Sequence, residues 1–186
     1  MEVSGALRTC AVTLYKIAND IRWLSSGPRC GIGEIVLPAL QPGSSIMPGK
    51  VNPVMAECVC QVAAQVMGND TVIAFAGAAG NFELNVMMPL QAHNLLQSIE
   101  LLANASTAFE EKCVRGITAD RERCGDMIEK SLAMVTALSP VLGYDVAAAA
   151  AKEAFSEGKT IREIIRAKKL LSPKKIQQLL NPRHMV

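Results

Sequence analysis

Apolar residues recur at helical spacing along most of the chain, and the pattern is clearest between residues 88 and 113. There Met88, Ala92, Leu95, Ile99, Leu102, Ser106, Phe109 and Cys113 alternate in steps of four and three. This is a heptad seam with one polar position. Such a seam spans roughly 38 Å at about 1.5 Å per residue, longer than a small domain needs, so it calls for partner helices. The chain offers two others of comparable length. Residues 6–24 carry Leu7, Val12, Leu14 and Ile17 among good helix formers and end at Gly27-Pro28. A further helix opens at Pro53 and runs to about Met67 or beyond. Its apolar face is Met55, Val59, Val62 and Val66, with Cys58 and Met67 added, and Glu57, Gln61 and Gln65 form a polar stripe at spacing four. The remaining bundle helices are expected from chain outside this sequence or from other copies.

Beyond Gly116, a plausible helix stop, the pattern shortens. Thr160 and Glu163 have the spacing of a capping box, Ser172-Pro173 opens another short helix, and Gly143 and Gly158 mark stops. The alanine run 147–151 is strong helix former, and Lys168, Lys169, Lys174 and Lys175 read as a solvated surface. The expected fold is therefore all-α: part of a long helical bundle at 1–116, then a small helical domain at 117–186.

Composition sharpens this picture. Half of the 186 residues are apolar but only 4% are aromatic, so the core is aliphatic and helix-built. A net charge of +2 without any long run of like charge gives no nucleic-acid or anionic-membrane signature. The apolar stretch from Val59 to Gly80 is broken by Gln61, Gln65, Asn69 and Asp70, which argues against a membrane span. The six cysteines contain no Cys-x-x-Cys pair, which speaks against zinc and against a disulfide framework. Reduced thiols and the lack of a secretion-signal pattern at the start lead to an expected cytoplasmic location.

The candidate chemistry lies between the first two helices. A Gly/Pro-rich connection of this length is more often functional or mobile than a plain linker. Within it "GSSIMPGKVN", residues 43–52, gathers two hydroxyls, a lysine and an asparagine on backbone that cannot be helical. The spacing from Gly43 to Gly49-Lys50 has one residue too many for a phosphate-binding P-loop. An anion nest for carboxylate, with Lys50 as the charge and Asn52 as a directed amide, suits it better. A merely structural loop is the other reading of the residues alone.

Gly43-Ser44-Ser45-Ile46-Met47-Pro48-Gly49-Lys50-Val51-Asn52-Pro53 resembles the fingerprint of the fumarase/aspartase superfamily. "KIANDIRWLSSGPRCGIGEI", "QVMGND", "GNFELNV" and "MVTALSPVLGYD" extend a resemblance to class II fumarate hydratases over essentially the whole sequence. The fingerprint itself is shared with aspartase, argininosuccinate lyase and adenylosuccinate lyase, whereas "GNFELNV" and "GYD" favour fumarase. Val54-Met55-Ala56 before Glu57 departs from the Thr-Gln-Cys more usual in fumarases and keeps aspartase as the alternative. A non-catalytic helical fragment that only oligomerises is a third reading, and it leaves the set Ser44, Lys50, Asn52 and Glu57 unexplained.

The resemblance implies the C-terminal portion of a lyase that uses no metal and no cofactor and works as a homotetramer on a small dicarboxylate, fumarate or L-malate. It implies that Ser44 is the base, that Lys50 and Asn52 bind a substrate carboxylate, that Ser45 joins them in binding substrate and orders the loop, and that Gly43 and Glu57 are supporting, Glu57 through a histidine supplied from elsewhere. His93 and His184, the only histidines here, match no such role and read as surface or packed residues. The demand on Ser44 is large. A hydroxyl whose ordinary pKa lies far above the physiological range needs roughly 11 kcal/mol of stabilisation for its anion to work near neutral pH, at about 1.36 kcal/mol per unit over about eight units.

Overall fold

The computed structural model describes residues 1–185, which divide after Asp120 into two compact units, Met1–Asp120 and the residues from Arg121 onward. The N-terminal unit is a layer of three long helices, α1 (Glu2–Leu24), α2 (Val54–Ala78) and α3 (Met88–Lys112). Among the described residues the fold is all-α apart from one small clip: Ile35–Val36 (β1) pairs antiparallel with Thr118–Ala119 (β2), in register Ile35 with Ala119. This pairing keeps residues 117–120 with the helical layer, so the units divide after Asp120 rather than at Gly116. Pro38 lies against Gly116, where a Cβ would come within 2.5 Å of its ring. Among the described residues no helix is long and apolar enough to cross a membrane.

Small residues let the three helices approach closely. Ala18, Ala56, Val59, Ala105, Phe109 and Cys113 form one buried cluster, and Ala11, Ala63, Val66 and Leu102 form the next along the layer. Burial pushes the Cys113 thiol above its ordinary value, which makes it an inert packing residue. The buried line of α2 thus runs through Ala56 and Ala63, Met55 and Val62 are only partly covered, and Cys58, expected on the apolar face, is exposed. α2 also continues to Ala78, and α3 ends at Lys112 in a short 3-10 turn (Val114–Gly116).

A larger departure concerns the heptad seam. Only its C-terminal half, Leu102, Phe109 and Cys113, is buried. Towards the other end of α3 the residues facing α2 are Asn94 and Ser98, while Met88, Ala92 and Ile99 are exposed. The reason lies on α2, which presents Asn69 and Asp70 at that level. Asn69 Nδ2 sits 2.9 Å from Gln97 Oε1, 3.0 Å from Ser98 Oγ and 3.3 Å from the Asn94 carbonyl. Gln65 donates to Asn69 Oδ1 at 2.8 Å. On the opposite side the Ser4 hydroxyl donates to Asp70 at 2.6 Å, and the Arg8 guanidinium lies 3.0 Å from the same carboxylate. A buried polar group needs such partners, because leaving one unpaired costs about 1–3 kcal/mol.

α2 and α3 are joined by a tight turn in which Asn81 and Leu84 bridge. Phe82 sits there at φ +53°, outside the usual range for a side chain of that bulk, and is fully exposed. Asn85 closes the turn, donating to the Ala76 carbonyl at 2.9 Å and accepting from the Met87 N–H at 2.8 Å.

The C-terminal unit is built from α4 (Arg121–Lys130), a 3-10 segment (Leu132–Leu138), α5 (Ser139–Leu142), α6 (Tyr144–Glu157), α7 (Ile161–Ala167) and α8 (Pro173–Leu179), with a last 3-10 turn at Pro182–His184. Met134, Leu138, Ala150, Ala154, Ile161, Ile164, Ile165, Ile176 and Leu180 make its core. Gly158 ends α6 in the left-handed conformation at φ +64°. Arg162 ties α4 to the end of α8, donating to Glu129 at 2.7 Å and to the Leu180 carbonyl at 3.2 Å. Lys168, Lys169, Lys174 and Lys175 are exposed, as are His93 and His184.

The capping box of α7 forms as its spacing predicts. Hydrogen bonds from Thr160, first its backbone N–H and then its hydroxyl, hold the Glu163 carboxyl below its ordinary value. A depressed folded-state value means that this contribution is complete above the unfolded value near 4.5 and is lost as pH falls through the lower folded one. Glu163→Gln is therefore expected to make the thermal midpoint fall less steeply between about pH 5 and 3 than in the parent chain. Parallel slopes in a pH series of melting curves would contradict this.

Candidate functional site: the 43–52 loop

The loop stands between β1 and α2, and both of its ends are held. β1 is clipped to β2, and Asn52 and Pro53 line a small recess with Leu37, Pro38, Lys112 and Cys113 at the end of α3. No regular structure forms between residues 37 and 53. Its neck is closed by two hydrogen bonds: Gly43 N–H donates to the Lys50 carbonyl at 2.8 Å, and Asn52 Nδ2 donates to the Gly43 carbonyl at 2.9 Å. Glycine is required at 43, since a Cβ there would lie 2.6 Å from the Lys50 carbonyl oxygen. Gly49 supplies the positive φ of +78° that turns the chain back, and Lys50 N–H donates to the Met47 carbonyl at 3.3 Å.

Within this ring the half-buried Ser44 hydroxyl oxygen accepts two backbone N–H groups, from Ile46 at 3.2 Å and from Met47 at 3.1 Å. Hydrogen bonds aimed at an oxygen favour its ionised form. Ser45 and Lys50 are exposed on the loop, and Glu57 is half-buried in the first turn of α2, its N–H bonded to the Pro53 carbonyl at 3.0 Å. The loop thus brings together Gly43, Ser44, Asn52 and the main chain of Lys50, with the Lys50 ammonium free to reach into solvent. Sequence reasoning reached main-chain N–H groups of the loop as the donors but not which two residues supply them. Ile46 and Met47 contribute main-chain N–H groups while their side chains are exposed, and the signal available was position: a serine hydroxyl commonly caps the N–H groups two and three residues on. Pro48, which has no N–H, falls just past them.

Residues 1–68 match the lyase family model, and residues 134–186 match the model of the fumarase C C-terminus. A class II fumarate hydratase from Thermosynechococcus vestitus is 58% identical over 161 residues, which cover 87% of this chain and 34% of that enzyme. An aspartate ammonia-lyase from a Bacillus species is 51% identical over 184 residues, 99% of this chain and 39% of that enzyme. The solved structure of a fumarate lyase:delta crystallin from Brucella melitensis superimposes with a TM-score of 0.92 at 51% identity, covering 98% of this chain and 39% of that one. The chain spans little more than a third of the length of these relatives. Matching family models at both ends, half-identical lyases and a shared all-α fold lead to one conclusion: the chain belongs to the fumarase/aspartase superfamily of lyases.

Proposed function

We propose that this chain carries the base-bearing loop of a fumarate hydratase, whose full-length oligomer adds water reversibly and anti across fumarate to give L-malate. The observation that carries the reading is the Ser44 hydroxyl held by two main-chain donors inside the signature loop. In the dehydration direction the Ser44 alkoxide takes a proton from the carbon next to a carboxylate. The electron pair left behind is delocalised into that carboxylate as the dianionic aci form, and hydroxide then departs from the neighbouring carbon with a proton supplied by the rest of the site. A hydrogen bond to a charged group contributes about 1.5–3 kcal/mol, so the Ile46 and Met47 donors together supply about 3–6 of the roughly 11 kcal/mol that the alkoxide needs. The Lys50 charge supplies a further part, and the exclusion of water from a filled site makes each of these contributions larger.

Lys50 and the second hydrogen of the Asn52 amide bind a substrate carboxylate, Ser45 orders the loop crest, and Glu57 steadies a histidine from elsewhere in the oligomer. The partners are a small dicarboxylate and further copies of the chain, assembled as a tetramer, and the cytoplasm is the compartment that suits six free thiols. Aspartate ammonia-lyase is the second reading, supported by an aspartase half-identical over almost the entire chain. Full-length oligomer assayed side by side on L-malate and L-aspartate separates the two. We expect turnover of L-malate; release of ammonia from L-aspartate with no reaction on L-malate would replace the first reading by the second.

A further inference from the structure

Asn52 does more in this loop than offer an amide to a substrate. Its Nδ2 donates to the Gly43 carbonyl, and that carbonyl shares a rigid peptide plane with the N–H of Ser44. The same glycine is gripped from its other side, because its N–H donates to the Lys50 carbonyl. Both polar groups of Gly43 are therefore fixed, and with them the plane from which the Ser44 Cα–Cβ bond departs. The two donors to Ser44 Oγ come from residues further round the same ring, at distances of 3.1 and 3.2 Å that a small rotation of this plane would lengthen beyond hydrogen bonding. Position 43 has no slack to absorb such a rotation, since even one added methyl group would meet the Lys50 carbonyl oxygen at 2.6 Å.

We infer that Asn52 is a positioning residue for Ser44: by closing the neck of the loop it holds the hydroxyl against the Ile46 and Met47 N–H groups, with or without substrate present. The inference rests on the reading of Ser44 as the base. It predicts that opening the neck weakens the stabilisation of an anion at position 44 even though no residue touching that atom has been changed.

A thiol placed at position 44 reports this directly. In Ser44→Cys the pH dependence of iodoacetamide alkylation, followed by mass spectrometry on the peptide that contains position 44, gives the ionisation of that one sulfur among the other cysteines. Against an ordinary thiol near pH 8.5, it is expected to ionise at distinctly lower pH. Adding Asn52→Ala is expected to return it towards the ordinary value and to slow alkylation at pH 7 by about tenfold, the effect of about one unit. Gly43→Ala, which pries open the same neck from its other side, should do the same, and unchanged helical circular dichroism in each variant shows that the chain remains folded. A thiol equally depressed with and without Asn52 would overturn the positioning role while leaving the base reading intact. A thiol that is ordinary in all backgrounds would overturn the base reading and this inference with it.

Discussion

Ser44→Ala in the full-length oligomer is expected to lower kcat for the proposed L-malate dehydration by about 10²–10⁴-fold, the usual contribution of a general base, while KM changes severalfold at most. The asymmetry follows from when the side chain acts. As the proposed base, Ser44 would accept a proton only as the transition state forms, so its loss is expected to leave ground-state binding by the proposed carboxylate ligands Lys50 and Asn52 in place. Lys50→Ala is expected to behave differently, because on the proposed role its charge meets the carboxylate both before and during the reaction; it should raise KM as well as lower kcat. Steady-state kinetics on the two variants tests both statements. Small and equal losses from both would reduce the loop to a structural element, and Ser44→Ala with full activity would remove the proposed base.

The second large effect concerns assembly. Met88, Ala92, Leu96, Ile99 and Ala103 follow one another at spacings of four, four, three and four along α3, and all are exposed, Leu96 at 65%. Burying each large apolar side chain contributes about 1.5–3 kcal/mol, and Phe75, Leu84 and Val86 extend the uncovered apolar surface of the same unit. The proposed oligomer covers this face. Light scattering at micromolar concentration is expected to report a mass above that of one chain, and Leu96→Glu with Ile99→Glu should return it to one chain without loss of helicity. Leu102→Glu should instead unfold the unit, since that side chain is 8% exposed and packs inside its own layer. A parent chain that scatters as a monomer at every concentration would refute the assembly.

These two expectations show where the sequence speaks clearly and where it is silent. Three long helices and a capped C-terminal set were legible because spacing, glycine and proline report local backbone preference, which the structure keeps at Gly158, Thr160 and Ser172. The face that α3 buries was not legible. Periodicity assumes that apolar residues face the core, whereas Asn94 and Ser98 face α2 because Asn69 meets them there, and Asn69 lies far away in the chain. The β1–β2 clip was missed for a related reason, since two residues of alternation carry no pattern. In the loop the residue types pointed to Lys50 and Asn52, and the family resemblance to Ser44. What holds Ser44 is main chain from Ile46 and Met47, whose own residue types do not mark them as donors; only their positions two and three after the serine do.

The same clip has a bearing on how the protein is made. Ile35 leaves the ribosome long before Ala119, yet the two are paired in the folded unit. Until α2 and α3 have been synthesised and β2 follows them, the segment leading into the signature loop has no partner strand, and closing so distant a contact is among the slower steps for a growing chain. The loop therefore receives both of its anchors, the end of α3 beside Asn52 and the β2 strand, only near the completion of its unit. A nascent chain halted before Thr118 would hold all the residues of the proposed base loop and none of the strand that moors its entry.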